Sequence, residues 1–389
     1  MKKTLLGLSA LFLLAITIQS CGDDIQETFK DYTEEEYAII TKRLNLPLEV
    51  YDYSADFDQE FFVNHVGEKD IRSRRGNHKA TLGRVLFYDT KLSLNESVSC
   101  ASCHKQELAF ADDLAFSEGF DGEITTRNSL PLGNTIGFET AYGSGGSRAQ
   151  FAWDEANADI SSQSRAAILN AIEMGLDMPT LVDRIEKDEA YSILFKKTYG
   201  DENIMEHRIL EALEEFVNSI VSAESKFDHE SMKANGDIFS DFKGFTAEEN
   251  VGKQLYLNKC ASCHSFDHMF TAKAVANNGL DKIYEDKGVG SRTNSVNDYG
   301  VFKVPFLRNI ELTAPYMHDG RFKTIREVID HYSEGIADHP NLDFELRNGS
   351  TPVKMDFSEG EKQALEAYLL TLTDEELLAD VRFSDPFKK

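Results

Sequence analysis

The stretch SCASCHK, residues 99–105, decides how this chain is read, and it returns 160 residues later as KCASCHS, residues 259–265. Two thiols separated by two residues and followed at once by His form the signature of covalent c-type haem attachment. The spacing follows from chemistry. The two thiols add across the two vinyl groups of one porphyrin, and the next imidazole then lies under the iron as its axial ligand. Cys100 and Cys103 with His104, and Cys260 and Cys263 with His264, therefore read as two covalent haem sites. A zinc site combining both pairs would have too many ligands, and a thioredoxin-like redox pair wants a βαβ context that this sequence lacks.

The rest of the composition is that of a globular protein. The 389 residues are 41% hydrophobic and 28% charged, enough for two or three domains with real cores. With 41 Lys and Arg against 67 Asp and Glu, the formal net charge is −26. That balance argues against nucleic acid and against electrostatic docking on anionic lipid. A charged partner is expected to be basic.

Residues 1–20 read as a targeting segment: Lys2 and Lys3, an apolar run over 5–18, then Ser20 directly before Cys21. The run is too short for a convincing membrane span. A signal peptide ending in a single Cys resembles the bacterial lipoprotein pattern, in which Cys21 is acylated and becomes the mature N-terminus. The chain is thus expected to be exported to the periplasm or cell envelope, touching membrane only through that lipid. The acidic DYTEEE, residues 31–36, suggests that 21–50 form a solvated tether.

Beyond the tether the two motifs divide the chain into an N-terminal haem domain, 51–235, and a C-terminal one, 236–389. The polar ESKFDHESMKANGD, residues 224–237, marks the joint. Helices dominate. HRILEALEEFVNSIVS, residues 207–222, places Ile209, Leu213, Phe216, Val217, Ile220 and Val221 on one face. Thr246 with Glu249, Thr324 with Glu327, and Ser358 with Glu361 match capping boxes at helix starts. The first of these helices runs into the second haem motif. YGSGGSRA, residues 142–149, is a glycine-rich loop without the lysine or strand context of a phosphate cradle. The fold expected is mainly α, a pair of cytochrome c-like domains.

Two irons with two strong axial ligands each only carry electrons, whereas an enzyme needs an open iron face and a proton-handling side chain above it. Several stretches speak to this. They are LGRVLFYDTKLSLNESVSCASCHKQELAFAD (82–112), RNSLPLGN (127–134), FAWDEA (151–156), AAILNAIEMG (166–175) and KVPFLRNIELTAPYMHDGRFKTIREVIDHY (303–332). Together they resemble the bacterial di-haem cytochrome c peroxidases and their MauG-type relatives over residues 82–372. The resemblance implies two haems facing across the domain interface, with Trp153, the chain's one tryptophan, between them. It implies further that Gln163 and Glu173 are the distal glutamine and the catalytic glutamate. Leu169 and Ile172 put Glu173 on an expected helix among apolar side chains, where a carboxylate is costly unless used or paired. A carboxylate over an open iron can take a proton from the near oxygen of H2O2 and return it to the far one.

Ordinary peroxidases of this kind cap the first haem at rest with a loop His. Here that position falls in EGFDG, residues 118–122, at Phe120, and His104 and His207 have no His between them. The first iron is therefore expected to be five-coordinate from the start.

At the second haem, His318 is the family's PYxH histidine. Fourteen residues later, Tyr332 stands where ordinary peroxidases have an axial Met and MauG-type proteins a ligating Tyr. Met317, 53 residues after His264, is the alternative by spacing alone. A hard oxygen ligand stabilises ferric and higher states, and Met favours ferrous. The resemblance also implies a Ca2+ held by the Asn128 side chain and the backbone carbonyls of Thr313 and Pro315. The expected function is a di-haem peroxidase that reduces H2O2 with electrons from a small cytochrome c or cupredoxin. The alternatives are a MauG-like oxidase that uses H2O2 to modify a protein or organic substrate, and a non-catalytic electron carrier.

Overall fold

Each haem motif is preceded by a helix that crosses a second helix at a glycine. The computed structural model describes residues 30–54, 74–136, 150–266 and 271–389. In the first half, helix Arg74–Tyr88 lies so close to helix Glu206–Ser219 that a Cβ on Gly83 would stand 1.9 Å from the carbonyl oxygen of Ala212. In the second half, helix Ala247–Lys259 meets helix Glu359–Leu370 in the same way, and a Cβ on Gly252 would stand 1.8 Å from the Ala364 oxygen. Only hydrogen fits at either crossing. Gly252→Ala is therefore expected to destabilise the protein by about 1–3 kcal/mol or more, since the obstacle is backbone that cannot rotate aside. Gly360→Ala, whose Cβ would meet nothing within 4 Å, is expected to stabilise by about 0.5–1 kcal/mol through helix propensity. Thermal melts of the two variants, moving in opposite directions, check the crossing.

The described residues are mainly helical, with four two-residue strands in two antiparallel pairs. Thr246, Ser358 and Thr324 form the three capping boxes expected, each accepting from the backbone N–H three residues on. The helix begun at Thr246 ends at Lys259, directly before Cys260. Helix Glu206–Ser219 buries Ile209, Leu213, Phe216 and Val217 as its spacing predicts. Ile220 and Val221 are buried too, but beyond its end. The helix stops there because Asn134 captures the extended chain: its N–H donates to the Ile220 carbonyl (2.9 Å), and its side chain pairs with both backbone groups of Ser222.

Two hydrophobic cores follow the two motifs. Leu82, Leu86, Phe87, Ile209, Leu213 and Phe216 belong to the first; Phe227, Phe242, Tyr256, Leu365 and Tyr368 belong to the second. Three expectations about the boundaries change. Residues 30–50 are not a free tether, since helix Glu34–Ile40 and the buried Tyr32, Ile40, Leu44 and Leu46 pack into the first core. The polar stretch at 224–237 is not a plain linker either. It contains helix Lys226–Lys233, which buries Phe227 in the second core, and its Asp228 makes a two-fold ion pair with buried Arg308 at 2.6 and 2.7 Å. Finally, the chain's last residues return to the first half. Leu377 and Phe383 lie in the first core, and Arg84 Nε donates to the Ser384 carbonyl at 2.6 Å.

The targeting segment, Cys21 and the glycine-rich loop at 142–149 lie outside the described residues. Among the described residues, no helix is long and apolar enough to cross a membrane.

Candidate functional site

The two CASCH copies are built alike. Cys100–Cys103 and Ala261–His264 are each a single helical turn, which brings the paired thiols to one side. His104 Nδ1 lies 2.9 Å from the Phe110 carbonyl oxygen, and His264 Nδ1 lies 3.0 Å from that of Pro305. A carbonyl can only accept, so each ring carries its proton on Nδ1 and keeps Nε2 as a free lone pair for a metal. Burial lowers both imidazoles below their ordinary value, which also favours the neutral ligand form. Ala109 and Phe110 both hold left-handed backbone, at φ 51° and 61°. This costs roughly 1–2 kcal/mol per residue and aims the Phe110 carbonyl at His104.

The thiols discriminate between chemistries. Burial pushes Cys100 and Cys260 up to about 12, and raises Cys103 and Cys263 as well. A redox pair, by contrast, works through a lowered thiol. Pockets that favour uncharged sulfur fit thioethers to haem, and the four cysteines are unpaired.

Glu173 lies beside the first motif. After burial, its charge is among the causes that raise both Cys100 and Cys103. Contrary to the sequence expectation, it is not on a helix: helix Ile160–Leu169 ends first, and Glu173 stands in the turn that follows. Asn170 shapes that turn. Its carbonyl accepts from Met174 and Gly175, and its side-chain Nδ2 donates to Glu173 Oε1 at 2.7 Å. Burial raises the Glu173 carboxyl above its ordinary value, and the Asn170 hydrogen bond opposes this.

Phe120, at the loop-His position, packs on the same turn. Its N–H donates to the Glu173 carbonyl (3.0 Å), and its own carbonyl accepts from Asn95 Nδ2 (2.7 Å) and Ser97 Oγ (3.1 Å). A Cβ on Gly175 would stand 2.5 Å from the Phe120 ring, and one on Gly119 only 1.7 Å from the Ile172 oxygen. Gln163 sits in helix Ile160–Leu169, its Oε1 accepting from Asn157 Nδ2 at 2.8 Å.

Trp153 is buried in a cluster with Leu280, Tyr284 and Phe302, all from the second half of the chain. Its Nε1 donates to the Asn128 carbonyl at 2.8 Å. One residue on, the Ser129 hydroxyl lies 3.3 Å from His104 Nδ1. On its other side, Trp153 meets the His318 ring edge to face at 6.4 Å, and His318 stacks on Phe302 at 3.8 Å. Trp153 thus joins the segment beside His104 to the PYxH segment.

Tyr332 occupies a single π turn, His331–Gly335, a distortion of helical geometry that frequently marks functional positions. Burial raises its phenol well above the ordinary value, a hydrogen bond from Asn278 opposes this, and charge at Cys263 and Cys260 adds to it. The ring packs against Ile336, Leu342 and Leu346. Met317 holds positive φ (75°), packs against the Trp153 cluster and accepts from Asn278 Nδ2 through Sδ at 3.5 Å.

Of the expected Ca2+ ligands, Asn128 is buried and commits Nδ2 to the Leu114 carbonyl (3.0 Å), which turns Oδ1 away as a hard donor. Pro315 approaches the same region, because a Cβ on Gly320 would touch both Ala115 and Pro315.

Sequence reasoning missed the charged groups around Trp153. Lys303 and Glu155 form a buried ion pair at 3.2 Å, and Arg127 bridges Asp154 (2.8 Å) and Asp286 (2.7 Å). The available signal was a lysine set among apolar residues in VFKVPF, residues 301–306.

Comparison with known proteins finds relatives of this chain. The family profile of di-haem cytochrome c peroxidase matches residues 77–236. The methylamine utilization protein MauG of Methylorubrum extorquens is 34% identical over 302 residues, covering 76% of this chain and 78% of that protein. The cytochrome c551 peroxidase of Nitrosomonas europaea is 28% identical over 302 residues, covering 76% and 80%. Among solved structures, a MauG-like protein associated with microbial copper homeostasis superposes with a TM-score of 0.64 at 32% identity, covering 79% of this chain and 93% of that one. The diheme peroxidase BthA of Burkholderia thailandensis shares the fold, with a TM-score of 0.61 at 18% identity over 79% and 89% of the two chains.

Proposed function

We propose a function from one premise: the chain belongs to the di-haem cytochrome c peroxidase family, MauG-type proteins included. On this reading it is an oxidoreductase that takes H2O2 as electron acceptor at the His104 site and shares the oxidising equivalents with the His264 site through Trp153. The two haems, held by Cys100/Cys103 and Cys260/Cys263, supply iron centres that exchange electrons and, at an open face, reduce peroxide. The observation that carries the reading is the Glu173 carboxyl, held by Asn170 Nδ2 at 2.7 Å in the turn on which Phe120 packs.

The chain's own residues divide the work. His104 is held through Nδ1 by the Phe110 carbonyl, and its Nε2 would be the atom to ligate the haem iron. Glu173 accepts the proton from the near oxygen of H2O2 and returns it to the far one, so that water leaves. Gln163, anchored by Asn157, orients the peroxide. Two electrons and two protons balance the conversion of H2O2 to two waters. The net charge of −26 suits a small redox donor with a basic face. Tyr332 and the Phe120 position favour the alternative within the family, in which the stored oxidation modifies a protein or organic substrate. Ca2+ between Asn128, Thr313 and Pro315, and export with a lipid on Cys21, belong to the same proposal.

Two measurements test it. The ferric protein is expected to show a high-spin EPR signal from the first haem, and low-spin signals alone would exclude the open site. Stopped-flow mixing with H2O2 followed by reduced cytochrome c separates the two chemistries. Rapid cytochrome oxidation supports the peroxidase; a long-lived oxidised state of both haems supports the MauG-type oxidase.

A further inference from the structure

The loop that carries Trp153 is held in a conformation it would not adopt alone. Ala152 and Glu155, on either side of the Trp153–Asp154 pair, both hold left-handed backbone, at φ 67° and 52°. Such residues persist where surrounding contacts over-determine them. Here the contacts converge on Lys303, which comes from the second half of the chain. Its backbone N–H donates to the Trp153 carbonyl at 2.8 Å. Its ammonium, 2% exposed, donates to the Gln150 carbonyl at 2.5 Å and meets Glu155 Oε1 at 3.2 Å. The same Glu155 oxygen accepts from the Gln150 N–H at 3.1 Å. One lysine thus ties the beginning, the middle and the end of the six-residue loop to the strand beside Phe302. Arg127 and Arg292 steady Asp154 from the outer side.

We propose that Lys303 is a positioning residue for electron exchange between the haems, holding the Trp153 indole against Asn128 on one side and His318 on the other. The proposal rests on the reading that Trp153 conducts. In each passage Trp153 gives one electron toward one haem and regains one from the other, so it ends unchanged. Transfer of this kind depends steeply on the position of the ring, whereas the proton handling assigned to Glu173 is held by Asn170, outside the loop. Burial draws the Lys303 ammonium down to about 8, so it stays largely protonated at neutral pH and keeps its hydrogen bond to Gln150.

The test uses the holoenzyme in three forms: Lys303→Met, the pair Glu155→Gln with Lys303→Met, and Trp153→Phe. The single variant leaves Glu155 buried without its cation and is expected to melt lower. The double variant removes that penalty and is expected to recover the melting temperature. Both lack the ammonium clamp. In both, the second haem's optical response after mixing with H2O2 is expected to slow more than ten-fold, while the first haem reacts at its usual rate. Time-resolved emission from Trp153, the only tryptophan, is expected to broaden from one lifetime to several. Wild-type exchange in Lys303→Met, or recovery of exchange along with stability in the double variant, overturns the proposal. Fast exchange in Trp153→Phe instead overturns the conducting role of Trp153, a separate failure.

Discussion

Glu173→Gln is expected to slow the reaction with peroxide by about 10^2–10^4-fold, the range typical of removing a positioned general acid–base. The change is nearly isosteric. A glutamine carbonyl oxygen can still accept from Asn170 Nδ2, as Glu173 Oε1 does at 2.7 Å, so the turn after Leu169 is retained. What disappears is the ability to take up a proton and give it back. The pH profile carries a second signature. Burial raises the Glu173 carboxyl above the usual 4.5, and the base form must be ionised. The acid limb of kcat/KM is therefore expected above the usual carboxylate range, and it vanishes in Glu173→Gln. The same shift bears on stability. A folded-state value raised above the unfolded one means that the folded protein binds the proton more tightly. Its stability contribution is present below the unfolded value and lost as pH rises through the folded one. At neutral pH the carboxylate opposes folding, so Glu173→Gln is expected to melt no lower than the wild type. Equal peroxide kinetics in the two proteins would remove Glu173 from the chemistry.

The parts of this site legible in the sequence are those whose chemistry is local. Each CASCH copy folds within a single helical turn, and the boxes at Thr246, Thr324 and Ser358 close over three residues. Resemblance to the family extended this to Trp153, Glu173 and Tyr332 as positions, but their surroundings are set by distant chain. Glu173 was expected on a helix because Leu169 and Ile172 continue the pattern. The helix ends because Asn170 turns extended (ψ 122°) and its side-chain Oδ1 takes the N–H of Ile172, leaving the Ile168 carbonyl to that of Leu176. Residues 31–36 look like tether by charge, yet Tyr32 among them is 1% exposed, and a buried ring outweighs solvated neighbours. Asp228 reads as one more charge in a polar stretch until Arg308, 80 residues away, pairs with it. The return of the C-terminus to Arg84, across 300 residues, has no local signal at all.

Replacing Tyr332 by Met is expected to raise the midpoint potential of the second haem by on the order of 10^2 mV, within the ~0.8 V that axial ligands span. The proposed lower ligand, His264, is oriented by the Pro305 carbonyl at 3.0 Å. A shift therefore reports on the upper ligand. Asn278 bears on both candidates for that place: its Nδ2 donates to Met317 Sδ, and its side chain opposes the rise that burial gives the Tyr332 phenol. Their surroundings differ. Tyr332 packs against Ile336, Leu342 and Leu346, and its π turn is a local departure from helical pairing. Met317 is packed against the Trp153 cluster, with its backbone at φ 75°. Met317→Leu is accordingly expected to leave the potential and the visible spectrum unchanged. A Met-to-ferric charge-transfer band at the red edge of the wild-type spectrum, lost in Met317→Leu, would assign the ligand to Met317 instead. The distinction decides function, because an oxygen ligand holds the second haem in oxidised states and lets it store what peroxide delivers, whereas a thioether makes it an ordinary electron donor.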